Sequence, residues 1–115
     1  MDSMWLSQMR KGVLELCLLA VVAREETYGY AIVERLAEIP GMEVTESTVY
    51  PLLARLASDG CLSLRVAKSP QGPSRRYYSL TTVGRHRLME LKQVWSMIGH
   101  SVQCLLDAVD LPATD

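Results

Sequence analysis

With 115 residues, the chain has room for one small domain and one further helix. A hydrophobic content of 49% excludes intrinsic disorder, and the longest apolar run, Val13 to Ala23, is interrupted by Glu15 and falls well short of the ~20 residues of a membrane span. The formal net charge of -1 excludes a uniformly basic protein, but the charges are unevenly distributed. Met1-Asp2-Ser3-Met4-Trp5 lacks the basic-then-apolar layout of a secretory leader, so a cytosolic location is expected. Cys17, Cys61 and Cys104 are odd in number and widely spaced, which implies neither a disulfide framework nor a metal knuckle.

In chain order, residues from about Met9 to Ala23 read as a first helix with apolar side chains on nearly every face. Thr27 is placed to cap a second helix, Tyr28 to about Ile39, with Tyr28, Ile32 and Leu36 along one side, and Pro40-Gly41 ends it. Thr45 or Ser47 then caps a third helix to about Ser58, where Val49, Leu52, Leu53 and Leu56 form a half-buried stripe. Pro51 lies near its first turn and Gly60 stops it. Cys61 to Ala67 and Arg75 to Leu80 read as two strands of a hairpin, with Lys68 to Ser74 as the turn. Thr81 or Thr82 caps a long fourth helix that reaches roughly Val109.

Two helices, a turn, a third helix and a β-hairpin are the order of a winged helix-turn-helix: a mainly α fold with a small β-hairpin over residues 1–80, followed by a long C-terminal helix in residues 81–115. In that order the third helix enters the major groove of double-stranded DNA. Its first turn and outward face carry Thr45, Ser47, Thr48, Tyr50 and Arg55, which can bond phosphates or base edges. Glu46 is the awkward neighbour, since it repels phosphate unless it accepts from a cytosine amino group.

The charge pattern agrees. Residues 1–46 hold the acids Asp2, Glu15, Glu25, Glu26, Glu34, Glu38, Glu43 and Glu46 against Arg10, Lys11, Arg24 and Arg35. Residues 65–87 hold Arg65, Lys68, Arg75, Arg76, Arg85 and Arg87 with no acid. Lys68, Gln71, Arg75 and Arg76 around the hairpin tip suit backbone or minor-groove contact; the competing reading is a hairpin that is merely solvated.

In the last helix, Leu88, Leu91, Trp95, Ile98, Val102, Leu105 and Val109 recur at alternating steps of three and four, an a/d seam that predicts a homodimer of twofold symmetry. Packing of this helix back on the first helix is the alternative, and both helices need cover. His86 and Glu90 stand one turn apart but without a third ligand, so an exposed helical pair is the better reading than a metal site. No nucleophile–base set has supporting spacing, so neither an enzyme nor a cofactor is expected. Cys17 and Cys104 read as packing residues, while Cys61, at the hairpin entrance, is the one candidate for redox sensing. A protein-docking module, favoured by the acidic N-terminal half, is the other function class.

These residues resemble the PadR family of transcriptional regulators over roughly Met9 to Leu106. The resemblance rests on Lys11-Gly12-Val13-Leu14-Glu15-Leu16, Tyr28-Gly29-Tyr30, Thr48-Val49-Tyr50-Pro51-Leu52-Leu53-x-Arg55-Leu56, and Gly72-Pro73-Ser74-Arg75-Arg76-Tyr77-Tyr78-x-Leu80-Thr81. The single C-terminal helix is similar to that of the short subfamily. The resemblance implies a homodimeric repressor on a pseudo-palindromic operator, with Tyr28 or Tyr30 reaching the DNA backbone while the other packs in the core. It also implies a hydrophobic or aromatic small-molecule effector between paired Trp95 side chains, in a pore lined by Met9 and Leu16. Gly99 stands one turn after Trp95, where drug-binding members can carry an acid, so cationic compounds are not specifically favoured.

Overall fold

In the computed structural model, which describes residues 3–112, the expected first helix is two helices, α1 (Ser3–Lys11) and α2 (Leu14–Arg24). Glycine weakens a helix, and here the Gly12 and Val13 amides donate to Met9 O and Arg10 O at 3.2 and 3.0 Å, tight turns that end α1. Val13, with φ −123° and ψ −3°, redirects the chain before α2 starts. Met1, Asp2 and residues 113–115 of the two expected regions lie outside the described residues.

Thr27 and Tyr28 do not begin the second helix. They form β1 (Thr27–Tyr28), and α3 (Gly29–Ala37) follows with no side-chain cap. A β-branched and an aromatic residue suit this extended pairing, in which Thr27 lies opposite Tyr78 and Tyr28 opposite Tyr77. After the Pro40-Gly41 turn, Thr45 is the N-cap of α4 (Glu46–Ser58), but its hydroxyl bonds the Ser47 hydroxyl at 2.7 Å rather than a helix amide. Gly60, at φ 81°, stops α4: its amide donates to Ala57 O at 3.0 Å and the Cys61 amide to Leu56 O at 2.9 Å, a Schellman pair.

β2 (Leu62–Ser69) and β3 (Gly72–Leu80) extend further toward the tip than the turn-rich composition of residues 68–74 suggests. Lys68 pairs with Ser74 and Ser69 with Gly72, leaving only Pro70 and Gln71 as the turn. The register slips between Lys68 and Ser69, so Pro73, which has no amide to donate, takes the unpaired bulge position. With β1 the sheet has three antiparallel strands, in the order β1-β3-β2, one more than the expected hairpin.

The core lies between α2, α3, α4 and the base of the sheet, with Leu18, Leu19, Ile32, Leu36, Val49, Leu53 and Leu56 fully buried and Tyr78 beside them. α5 (Thr82–Asp107) starts at Thr81, whose hydroxyl accepts from the Gly84 amide at 3.0 Å and donates to Gly60 O at 2.6 Å. Leu88 and Leu91 of α5 pack against this core, so the first part of the expected seam is covered within the chain. Beyond them Trp95, Ile98, Val102, Leu105 and Val109 are about half exposed or more (48–71%). Among the described residues no helix is long and apolar enough to cross a membrane.

Gly84 is pressed against the Cys61 carbonyl and the Leu80 side chain; a Cβ there would overlap both. Gly84→Ala is therefore expected to destabilise the fold by about 1–3 kcal/mol, as overpacking does in cores. Urea denaturation followed by circular dichroism measures it, and a midpoint equal to wild type would show that α5 is not seated by this approach.

Candidate nucleic-acid interface

The second turn of α4 and the β3 strand of the β2–β3 hairpin, the wing of this fold, lie on either side of one cleft. Thr45, Glu46, Ser47 and Thr48 form the exposed first turn of α4, and their amides point outward at its N-terminus. One turn on, Tyr50 lies across Gly29 at the start of α3, so close that a Cβ on Gly29 would run into the phenol ring. Partial burial, with Glu46 and Tyr78 nearby, raises the Tyr50 pKa, so its hydroxyl stays protonated and able to donate.

Between α4, the start of α3 and the wing lies a cleft of about 490 Å³. Tyr28, Tyr30, Tyr50, Ser74, Arg75 and Arg76 line it. The structure thus brings Tyr28, Tyr50, Arg75 and Arg76 of the sequence-derived candidates to one cavity. Thr45, Ser47, Thr48, Lys68 and Gln71 are exposed outside its lining. Tyr30, the alternative to Tyr28 for reaching the DNA backbone, and Ser74 also line it; both lie within the sequence motifs, Ser74 with no role assigned to it there. Neither Tyr28 nor Tyr30 is a core residue; Tyr28 is half-buried, Tyr30 is exposed, and Tyr78 fills the core position.

The wing is ordered by stacked cations and rings. The Arg75 guanidinium sits 4.1 Å from the Tyr28 ring centroid and that of Arg65 4.8 Å from the Tyr77 centroid. Tyr28 and Tyr77 meet edge to face with centroids 5.7 Å apart. Arg65 also grips Glu26, at 3.0 Å through Nε and 2.6 Å through Nη2. Arg55, expected at the DNA surface, is turned to the Glu15 carboxylate at 2.6 Å, with Asp59 at 3.6 Å. Lys68, Arg76 and Arg85 have no acidic partner among the described residues.

A second cavity, of about 250 Å³ and almost wholly apolar, lies between the start of α2 and the middle of α5. Val13, Leu16, Leu91, Val94, Trp95 and Ile98 line it along with Gly12. Leu16 and Trp95 are thus brought together, whereas Met9 is 78% exposed on α1 and Gly99 lies off the lining. Among the described residues no group of three or more His, Cys, Asp and Glu could hold a metal; His86 and Glu90 are both exposed. Burial raises the Cys17 pKa, which keeps that side chain a thiol, and Cys61 is fully buried behind the Gly84 contact, out of reach of solvent oxidants.

A family model described as the transcriptional regulator PadR-like family matches residues 18–90. Among solved structures, a PadR-like transcriptional regulator from Bacillus cereus is 39% identical, with 86% of this chain and 96% of that chain covered, at a TM-score of 0.77. A PadR family transcriptional regulator from Eggerthella lenta is 33% identical with 93% of each chain covered and a TM-score of 0.84. A PadR-like transcription factor from Bacteroides fragilis is 40% identical, with 90% of this chain and 99% of that chain covered, at a TM-score of 0.73.

The hydrogen bonds and charge of Arg65 lower the Glu26 pKa below the usual carboxylate range. A group whose pKa is depressed by folding contributes stability above its unfolded value and loses it as pH falls through the folded one. The thermal midpoint of Glu26→Gln should lie below wild type at pH 7, and the gap should close as pH drops below about 4. A gap as wide at pH 3 as at pH 7 would rule out the ion pair as its source.

Proposed function

The chain belongs to the PadR-like family of transcriptional regulators, which are DNA-binding regulators and not enzymes, and on that premise we propose that it is a repressor that grips a pseudo-palindromic operator as a homodimer and releases it when a hydrophobic or aromatic small molecule enters between the two copies. The observation that carries this reading is the shared cleft of α4 and the wing, which sets Tyr50 beside Arg75 and Arg76. With α4 in the major groove, Thr45, Ser47, Thr48 and Tyr50 meet base edges and phosphates, while Lys68, Gln71, Arg75 and Arg76 follow the adjoining backbone. Tyr28 holds the Arg75 guanidinium in place by stacking beneath it.

The unpartnered seam from Trp95 to Val109 supports the dimer: monomeric proteins rarely leave so long an apolar stripe in water, and a second copy would cover it. The two recognition helices would then address half-sites one helical turn, about 34–36 Å, apart. Leu16 and Trp95, on the apolar cavity beside that seam, support the effector site.

Replacing both Arg75 and Arg76 by alanine should weaken binding to every sequence and lower the slope of log affinity against log salt by up to about two, roughly one for each lost phosphate contact. A slope identical to wild type would remove the wing from the interface and favour a protein as the docking partner. Trp95→Leu isolates the effector site, since Trp5 is the one other tryptophan. A planar aromatic compound that binds there should quench wild-type fluorescence and release DNA, and do neither in the variant. Equal quenching in both proteins would place the compound elsewhere.

A further inference from the structure

Four charged side chains from three stretches of the sequence close into a ring that joins three helices. The Arg55 guanidinium of α4 bonds Glu15 of α2 at 2.6 Å through Nη2 and approaches Asp59 at 3.6 Å through Nη1. Arg87 of α5 bonds the same Asp59 at 2.9 Å and reaches the other Glu15 oxygen at 3.7 Å. Each cation thus lies between two anions and each anion between two cations. Glu15 is the one member on α2, and its two carboxylate oxygens face different helices: Oε1 the recognition helix, Oε2 the long helix.

The packing around the ring makes this bridge consequential. α4 rests mainly on α3 and β2, whereas α5 rests on α2 and β3. The two helices with separate tasks therefore belong to different packing neighbourhoods, and the ring spans the gap with two hydrogen bonds, Arg55 to Glu15 and Arg87 to Asp59, and two longer ion pairs. Apolar packing tolerates small rotations, but charge-assisted hydrogen bonds at two corners of a closed ring, with each carboxylate also drawn to the second guanidinium, restrict angle as well as distance. Leu16, the next residue along α2, lines the apolar cavity beside Trp95.

We propose that Glu15 is a positioning residue: by holding Arg55 and Arg87 at once it sets the angle between the recognition helix and the dimerising helix, and so fixes which operator half-site spacing the regulator accepts. This inference rests on the reading of the protein as an operator-binding dimer. Arg55 then serves the interface from behind, by aiming α4, and makes no DNA contact of its own. Asp59 and Arg87 complete the ring and share the task.

The test uses the full chain and a duplex selected by the wild-type protein from a randomised pool, together with the same duplex lengthened or shortened by one base pair between half-sites and a duplex carrying one half-site. Wild type should prefer the selected spacing by about tenfold or more over either neighbour. Glu15→Gln, which keeps the shape and removes the charge, should flatten that preference to within about threefold while binding the single half-site as wild type does. Arg87→Gln, which breaks the ring from the α5 side, should do the same, and urea denaturation of both variants shows that they are folded. A purely structural role for Glu15 would instead lower affinity for all four duplexes together and overturn the proposal. So would an unchanged spacing preference in both variants. A third overturning result is tighter binding to every duplex with a salt slope steeper by about one, which would make Arg55 a tethered phosphate contact. If wild type binds two half-sites no better than one, the dimeric-operator reading fails and takes this proposal with it.

Discussion

Four elements of the fold converge on Cys61. α4 ends against it through the Leu56 carbonyl, β2 begins at the next residue, β3 returns beside it through the Thr81 amide, and the first turn of α5 rests on its carbonyl at Gly84. The Cys61 carbonyl accepts from the Thr81 amide at 3.0 Å while the Thr81 hydroxyl donates to Gly60 O, so the end of α4 and the start of α5 share one set of hydrogen bonds. The point at which α5 leaves the domain is fixed there. A side chain larger than hydrogen at position 84 would drive helix and strand apart. The wing and α5 both start from this junction, and the packing of Leu88 and Leu91 on the core continues the seating of α5.

The charge distribution follows a similar economy. A formal net charge of -1 and a basic segment over residues 65–87 look contradictory until the pairs are traced. Arg65 is taken up by Glu26 and Arg87 by Asp59 and Glu15, so two of the six basic side chains there hold the fold together. Arg75 is spread over the Tyr28 ring, which orients it without neutralising it. Lys68 and Arg76 remain with no acidic partner among the described residues, beside Arg75 on the wing. Glu15, Glu26 and Asp59 select, by pairing, which cations stay available to an anionic partner.

Features with a period or a cap were legible in the sequence. The a/d spacing of α5, the Leu stripe of α4, the Gly60 stop and the Thr81 cap all depend on neighbours within a turn or two, and sequence patterns report such relations well. What escaped has no local signature. A two-residue strand such as Thr27–Tyr28 is too short to have a period, and one glycine inside a helical pattern does not announce that α1 and α2 part at Gly12. The reach of the hairpin was hidden by Pro73, whose ring argues for a loop and which the ladder accommodates as a bulge. Arg55 is the instructive case for the site. Its outward position on α4 suggested DNA, but its partner Glu15 lies 40 residues earlier, and only tertiary placement brings them together.

The long helix finally ties the size of the domain to its assembly. A helix of 26 residues runs about 39 Å, and the core of so small a domain covers only the stretch that includes Leu88 and Leu91. Past that stretch Trp95 and Ile98 meet only the rim of α2 across the apolar cavity, and Val102, Leu105 and Val109 are about half exposed or more among the described residues. One periodic pattern thus faces two environments, its own α2 first and open solvent afterwards. The boundary between them falls at the apolar cavity beside Trp95, because that is where α2 ends its contact and α5 runs on alone. The cavity is walled by the start of α2 and by α5. Leu16, on the α2 side of that cavity, is one residue from the carboxylate that holds Arg55, so the apolar cavity and the charged ring share one turn of α2.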